Sequence, residues 1–359
     1  MYKRQHFHTF DALRFFAFFI VFVSHIPLPK LWNLHTYHIA GSVGVYFFFV
    51  LSGFLISYIL LVEKLNTESI KFTRFLWRRA LRIWPLFYGM IAFAFLTPYI
   101  LSWIGLEGSN DGYEPNWFMS CLFLENYNMM IAHSFPNVSP LRVMWSLCIE
   151  EHFYILWVII FRYISIKNIP LLVGIAILVA NITRLIYWNM DIDTMDLFSN
   201  IDYFALGALL AYVILLKPHY LNVFNRVPKY IKWISVVIIG CSVFVLPEFL
   251  KPFETLLIPL IYGPLFVFVL ISTLTKQNVL KVRNSNVLSR LGIYTYGLYL
   301  FHTICINLML KISPKIGVDP EGIKGYLVVF VASLLMSIVF SYLSFEWFEK
   351  QFLKLKNKT

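Results

Sequence analysis

The sequence has 359 residues, of which 59% are hydrophobic, 18% aromatic and only 14% charged. Soluble domains carry about 25% charged residues, so this deficit excludes an ordinary soluble enzyme, as does a mean hydropathy of +0.70. The net charge of +11 is not a nucleic-acid signature here, because positive charge gathers in the cytoplasmic loops of membrane proteins.

Apolar runs of membrane-crossing length follow one another at about 10–28, 41–62, 83–104, 142–161, 170–188, 197–216, 231–247, 253–275, 291–310 and 325–347. No small-residue cleavage site follows the first run, so it is expected to stay as a helix and not to be removed as a signal peptide. A shorter and more polar run, 117–133, reads as interfacial or re-entrant, with an eleventh span as the alternative. Charge asymmetry tests the map. With the N-terminus inside and sides alternating, Lys30, Arg142, Lys251, Lys311, Lys315 and Lys324 are the six outside cations; Arg14 and Arg184 are intramembrane; the other 22 of the 30 are inside. An eleventh span would invert every later loop and lose most of that bias. The expectation is an all-α polytopic bundle of about ten spans with both termini cytoplasmic, forming a single domain over 1–359. The largest outside loop, about 105–141, is acidic and turn-rich ("GLEGSNDGYEPN", "HSFPNVSP") and long enough to shape a substrate mouth. No internal repeat is visible. Cys121, Cys148, Cys241 and Cys305 stand singly, which suggests neither disulfides nor a metal site.

The first run, "FDALRFFAFFIVFVSHIP", carries Asp11, Arg14 and His25. Arg14 and His25 are 11 residues apart, about 20° past three full turns, so they share one helix face about 16 Å apart in rise. Asp11 lies one turn before Arg14. Ionisable residues inside a membrane span are expensive and mark function by default. Other runs add polar company: Glu150, Glu151 and His152 in "MWSLCIEEHFY", Tyr296, Tyr299 and His302 in "YTYGLYLFHT", Arg184 with Asn181, and Asp202. Together they can line a hydrated cavity. At the inside end of the third run, "RFLWRRALRIWP" packs Arg78, Arg79 and Arg82 within two turns, with Pro85 beyond them. Such a guanidinium cluster suits phosphate groups, though it also suits a topology signal or a lipid headgroup anchor.

Taken together, these motifs resemble the acyltransferase-3 family of integral membrane O-acyltransferases. The stretch "DALRFFAFFIVFVSH" is similar to the family's Arg, ten residues, His pattern, carried by Arg14 and His25. The second run resembles the family's second-helix signature in "GVYFFFVLSGFLIS", residues 44–57. "RRALRIWPLFY" resembles its Arg-x-x-Arg segment at Arg79 and Arg82. "WSLCIEEHFY" resembles its Trp-Ser-Leu-x-x-Glu segment at Trp145, Ser146 and Glu150, and "YTYGLYLFH" its late Tyr-x-x-Tyr-Leu-x-His motif at Tyr296, Tyr299 and His302. The resemblance covers nearly the whole chain. One departure is "WFEKQF", which keeps Glu349 but has Gln351 where the family often has proline.

The resemblance implies transfer of an acyl group, usually acetyl, from cytoplasmic acyl-CoA to a hydroxyl of a cell-surface or exported carbohydrate. It implies a bacterial cytoplasmic membrane, acetyl-CoA or another acyl-CoA as donor, and no metal. Its partners are a carbohydrate or glycolipid acceptor and membrane lipid, with a separate extracytoplasmic protein as a further candidate and without nucleic acid. Some members carry a fused extracytoplasmic esterase-like domain, and none is expected here. In that light His25 is the candidate general base, with Arg14 and Glu150 beside it in catalysis. Arg78, Arg79 and Arg82 are the candidate donor-binding residues. Asp11, Trp145, Ser146, Tyr299 and His302 are the candidates for holding the acceptor. An acyl-enzyme on histidine or on Ser24 or Ser146 stays open beside direct attack. A flippase for a lipid-linked saccharide is the alternative reading, since it too would need intramembrane charge.

Overall fold

Polar side chains and backbone groups in lipid must be satisfied within the protein, and this chain does so with helices. A computed structural model describes residues 7–28, 39–103, 105, 111–274, 282–283 and 286–358. Lys3, Arg4, Lys30, Lys276 and Lys281 of the charge count lie outside the described residues. In chain order the helices are α1 (His8–His25), α2 (Ile39–Thr67), α3 (Phe72–Trp103), α4 (Trp117–Cys121), α5 (Glu125–Ala132), α6 (Ser139–Arg142), α7 (Trp145–Tyr163), α8 (Ile169–Met190) and α9 (Ile201–Leu216). There follow α10 (Leu221–Asn225), α11 (Lys229–Ser242), α12 (Leu246–Phe249), α13 (Glu254–Leu274), α14 (Val287–Ile293), α15 (Thr295–Ile312), α16 (Ile323–Ser344) and α17 (Lys350–Lys354). The described residues form no strand; a single bridge joins Tyr113 and Pro136.

Five helical stretches among the described residues are long and apolar enough to cross a membrane: α2, α3, Ile166–Met190, α13 and Ile323–Lys354. Two bent pairs, α9 with Pro218–Asn225 and α14 with Thr295–Ile316, raise the number to seven. The chain is an integral, multi-pass membrane protein. α1 and α7 stand outside that count; α1 carries Asp11 and Arg14, and α7 carries Glu150, Glu151 and Arg162.

Three sequence expectations are revised and one alternative is removed. The third span starts at Phe72, so Arg78, Arg79 and Arg82 ride on the same continuous helix as Pro85; one missing amide is tolerable where neighbouring helices can serve the freed carbonyl. The span expected at 231–247 divides into α11 and α12. The span expected at 291–310 bends by 83° between α14 and α15. Tyr294, at φ −89° and ψ 5°, leaves the helical region there, within a Gly-Ile-Tyr-Thr run of poor helix formers. The run 117–133 is no eleventh crossing: Phe123, at φ 59°, separates two helices of 5 and 8 residues.

Contacts gather the chain into two compact units, 1–21 with 34–72 and 153–292, and 22–33 with 73–152 and 293–359. In the first, α2 and α9 meet backbone to backbone. A Cβ on Gly53 would lie 2.1 Å from the Phe204 carbonyl oxygen, and one on Gly207 would lie 2.2 Å from that of Val50. Small residues let membrane helices approach this closely, which gives the second-helix signature a packing reason. Phe204 stacks between Phe49 and Phe153, at 4.7 and 4.0 Å between ring centroids. Arg184 of α8 donates to both carboxylate oxygens of Asp202 of α9, at 3.0 and 2.7 Å, and to the Ser199 carbonyl at 2.8 Å. Both side chains are buried. This fork of donors on a carboxylate satisfies two charges that lipid could not.

In the second unit, α15 lies against a serine stripe of α16. Ser333, Ser337 and Ser341 are buried, and each hydroxyl returns to the carbonyl four residues earlier. With its hydroxyl turned back, serine presents a small surface to α15, where Gly297 sits against Ser341. The loop before α7 is held by charge and capping. Asn116 caps α4, Tyr113 and Ser120 donate to buried Glu125, and Arg142 donates to the carbonyls of Pro136 (2.9 Å) and Asp111 (2.7 Å). Burial, and then hydrogen bonding to Glu125, push the Tyr113 phenol well above its usual range. Phe123 stacks on Phe87 of α3 at 4.0 Å.

Asp202→Ala is expected to strand the Arg184 guanidinium in the first unit and to cost about 3–5 kcal/mol. Thermal unfolding of the detergent-purified variant checks this, with Asp202→Asn expected to lose less because it keeps one acceptor.

Candidate functional site

The chemistry-bearing residues of the second unit form a ladder. At one end, α3 carries Arg78, Arg79 and Arg82. Arg78 and Arg79 are half-buried and Arg82 is exposed, and the Arg79 guanidinium lies over the Phe75 ring at 5.8 Å. The next rung joins three helices. The Trp84 indole N–H of α3 donates to Glu151 Oε2 of α7 at 3.1 Å, and the Tyr296 hydroxyl of α15 donates to the Ile83 carbonyl at 2.7 Å. One turn further along α15, the Tyr299 hydroxyl donates to the Val143 carbonyl at 3.0 Å and lies 2.8 Å from Ser146 Oγ. Ser146 Oγ itself reaches the same carbonyl at 3.4 Å, so either hydroxyl can donate to the other. Another turn on stands His302, fully buried. Its ring meets the exposed His25 ring edge to face, 4.9 Å between centroids and 81° between planes.

Order along the ladder follows from helix rise. Arg79 precedes Trp84 by five residues, about 7.5 Å, and Tyr296 precedes His302 by six, about 9 Å. Ser146 and Glu151, five residues apart on α7, pair with successive rungs and fix the same order independently. The arginines and the imidazole pair thus stand at opposite ends, with Trp84, Glu151 and Tyr296 between.

His302 Nδ1 lies 2.7 Å from the Tyr299 carbonyl oxygen, which can only accept. Nδ1 therefore carries the proton, and in the neutral ring Nε2 is the acceptor. That contact fixes the tautomer and orientation of His302, and its buried ring backs His25 on one edge. Phe22, one turn before His25, packs on Phe330 of α16 at 5.5 Å and closes the apolar side.

Of the residues predicted from sequence, the structure brings His25 to His302, and Ser146 to Tyr299. Glu150 is half-buried within electrostatic reach of Tyr299. Trp145 is buried at the start of α7. Asp11 and Arg14 belong to the first unit, where they pair with each other at 2.6 Å. Arg184 and Asp202, counted from sequence as possible cavity lining, satisfy each other in that unit and are not among the ladder's residues.

A model of the acyltransferase-domain family matches residues 7–346, a stretch that takes in every rung just described. The chain belongs to the acyltransferase-3 family. It is 29% identical over 346 residues to the peptidoglycan O-acetyltransferase OatA of Listeria monocytogenes, an alignment of 86% of this chain and 50% of that protein. The putative peptidoglycan O-acetyltransferase YrhL of Bacillus subtilis is 34% identical over 168 residues, which are 44% of this chain and 24% of YrhL. The O-acetyltransferase OatA of Staphylococcus aureus is 28% identical over 166 residues, 46% of this chain and 26% of the relative. The chain thus spans half the length of the Listeria protein it matches. No solved structure matches it.

Three residues that the structure places along the ladder or at its cationic end were given no role from sequence. Glu151 sits beside the motif glutamate, and neighbours on a helix face about 100° apart, so spacing alone could not tell which reaches the ladder. Glu349, left without a role because of Gln351, is buried in a π-helical turn, held by Ser344 Oγ at 3.0 Å and within reach of the Arg82 charge. Such turns often mark functional positions. Lys356 belongs to the basic tail beyond the family match. Burial, and then Arg82, Arg79 and Arg78, push its ammonium down to about 7.

For Lys356 the folded value lies below the usual 10.5, so between those pH values the unfolded chain binds more protons and stability rises with pH. The penalty is complete below about 7 and gone above 10.5. Lys356→Met is therefore expected to melt above the wild type at pH 6, with the gap closing towards pH 10. Melting temperatures across that range in one detergent check the sign.

Proposed function

We propose that this chain is a membrane O-acyltransferase, moving an acetyl group from cytoplasmic acetyl-CoA to a hydroxyl of a cell-wall carbohydrate. The observation that carries the reading is the edge-to-face pair of His25 and His302 at one end of a ladder whose other end holds three arginines. Family membership supports the reaction class, and the names of the Listeria and Bacillus relatives support peptidoglycan as the acceptor.

The donor's phosphates are anionic, and guanidinium groups hold phosphates bidentately. Arg78, Arg79 and Arg82 would take them, with Lys356 adding a fourth cation. A bound polyanion would raise the Lys356 ammonium back towards its ordinary range, so donor binding near pH 8 would take up a proton. A sugar hydroxyl is a poor nucleophile until its proton leaves. The imidazole of His25 is exposed enough to meet it, and imidazole is the side-chain type best suited to taking a proton at neutral pH. As the hydroxyl oxygen bonds to the thioester carbonyl carbon, His25 accepts its proton; the C–S bond then breaks and His25 returns that proton to the CoA sulfur. Tyr299 and Ser146 would hold the wall of the acceptor space, with Glu150, Trp145 and His302 around it. Asp11 and Arg14 would lie on the His25 helix as positioning residues.

The same reading takes about ten crossings with both termini in the cytoplasm. It counts α1 and α7 as spans despite their ionisable residues, and rests on the surplus of Lys and Arg in the inside segments. The arginines would then face the compartment that supplies the donor.

His25→Ala is expected to reduce label transfer from acetyl-CoA to peptidoglycan fragments by about 10²–10⁴-fold, with the amount in membranes unchanged. Mass spectrometry of wall glycans from cells with and without the gene should show an added acetyl mass that mild base removes. Retained turnover in the variant would rule out the base assignment, and an unchanged glycan would rule out the acceptor.

A further inference from the structure

We propose that Glu151 reads the amide arm of the donor, its second carboxylate oxygen accepting an N–H from the pantetheine chain as that chain passes from the arginines to the imidazoles. The inference rests on the acyl-CoA reading above and adds a specificity residue to it.

Glu151 is 7% exposed, and the Trp84 indole satisfies only Oε2. Oε1 is buried with no hydrogen-bond partner among the described residues. Charges of both signs act on it: Glu150, adjacent on the same helix, and Arg79 on α3. A buried carboxylate oxygen without a donor is costly, and such atoms are uncommon in native proteins. Something carrying an N–H or O–H is expected there in the working state.

Its place in the ladder says what. Glu151 stands with Trp84 on the rung between the cationic end and the His25–His302 end. An acyl-CoA bound with its phosphates at Arg78, Arg79 and Arg82 and its thioester beside His25 must thread this rung. The part of the molecule at that distance from the phosphates is the pantetheine arm, whose polar groups are two amides. An amide N–H is the donor Oε1 lacks. The indole of Trp84, 41% exposed, offers the arm's methylenes an apolar wall beside it. A free phosphate or nucleotide has no such arm, so this contact would distinguish the thioester donor from other anions attracted by the arginines.

The test compares acetyl-CoA with an analogue in which both arm amides are replaced by esters, removing the N–H while keeping length and charge. With purified wild-type protein, KM for the ester analogue is expected to exceed that for acetyl-CoA by about 10- to 100-fold, with kcat little changed. Glu151→Leu should raise KM for acetyl-CoA by a similar factor and add little on the ester analogue, because the bond is already gone. Equal KM values for the two donors on the wild type would overturn the proposal without any variant being made, so misassembly of Glu151→Leu cannot shelter it. A penalty from Glu151→Leu that is the same on both donors would also overturn it. A wild type that transfers nothing from either donor would instead sink the acyl-CoA reading on which this rests.

Discussion

A membrane bundle has no water in its hydrocarbon layer to satisfy polar side chains, so each must find a partner in the protein or line a wet space. In the second unit α15 meets that demand once per turn. Tyr296 reaches the α3 backbone, Tyr299 reaches the start of α7, and His302 turns back on the carbonyl of Tyr299 while its ring meets His25. These contacts do more than satisfy atoms. They set the register of α3, α7 and the end of α1 on one helix, and so fix the order of arginine, carboxylate and imidazole along the ladder. The serine stripe of α16 serves the same helix from behind, because small surfaces let α15 settle closely against it.

The first unit solves the same problem differently. Its deepest charges, Arg184 and Asp202, pair bidentately and leave no carboxylate oxygen for a substrate. Around them the packing is glycine against backbone and ring against ring. The charge of that pair is met within the pair itself. In the second unit the carboxylate of Glu151 is only half satisfied, and Lys356 is pressed towards three guanidinium groups of its own sign. Like charges brought close together work against stability, as do buried polar atoms left unpaired. The proposed donor, anionic at one end and carrying amide N–H groups along its arm, would relieve both.

Much was legible from residues alone. Composition and run length specify a helical membrane protein because lipid leaves so few backbone solutions. Spacing puts Arg14 and His25 on one face of α1, since helix geometry is local. The ordered motifs, from "DALRFFAFFIVFVSH" to "YTYGLYLFH", led to the family that the match over residues 7–346 then established. Helix interruptions were less legible. The bend before α15, the break at Phe123 and the division between α11 and α12 depend on single backbone angles that hydropathy does not register.

What only tertiary structure decided is which polar residues meet. By hydropathy and spacing, Arg184, Asp202, Glu150, Glu151 and His302 were alike, ionisable groups in apolar runs, and only the family motifs set Glu150 and His302 apart. Packing separates them into a closed ion pair in one unit and an open ladder in the other. It also draws the tail lysine, more than 270 residues from Arg82 in sequence, into the cationic end. The sequence by itself determined the solvent, the helices and the faces they present, because those follow from local periodicity and transfer energy. The partners were decided in three dimensions, because contact between distant segments depends on helix bends and close approaches that no local pattern encodes.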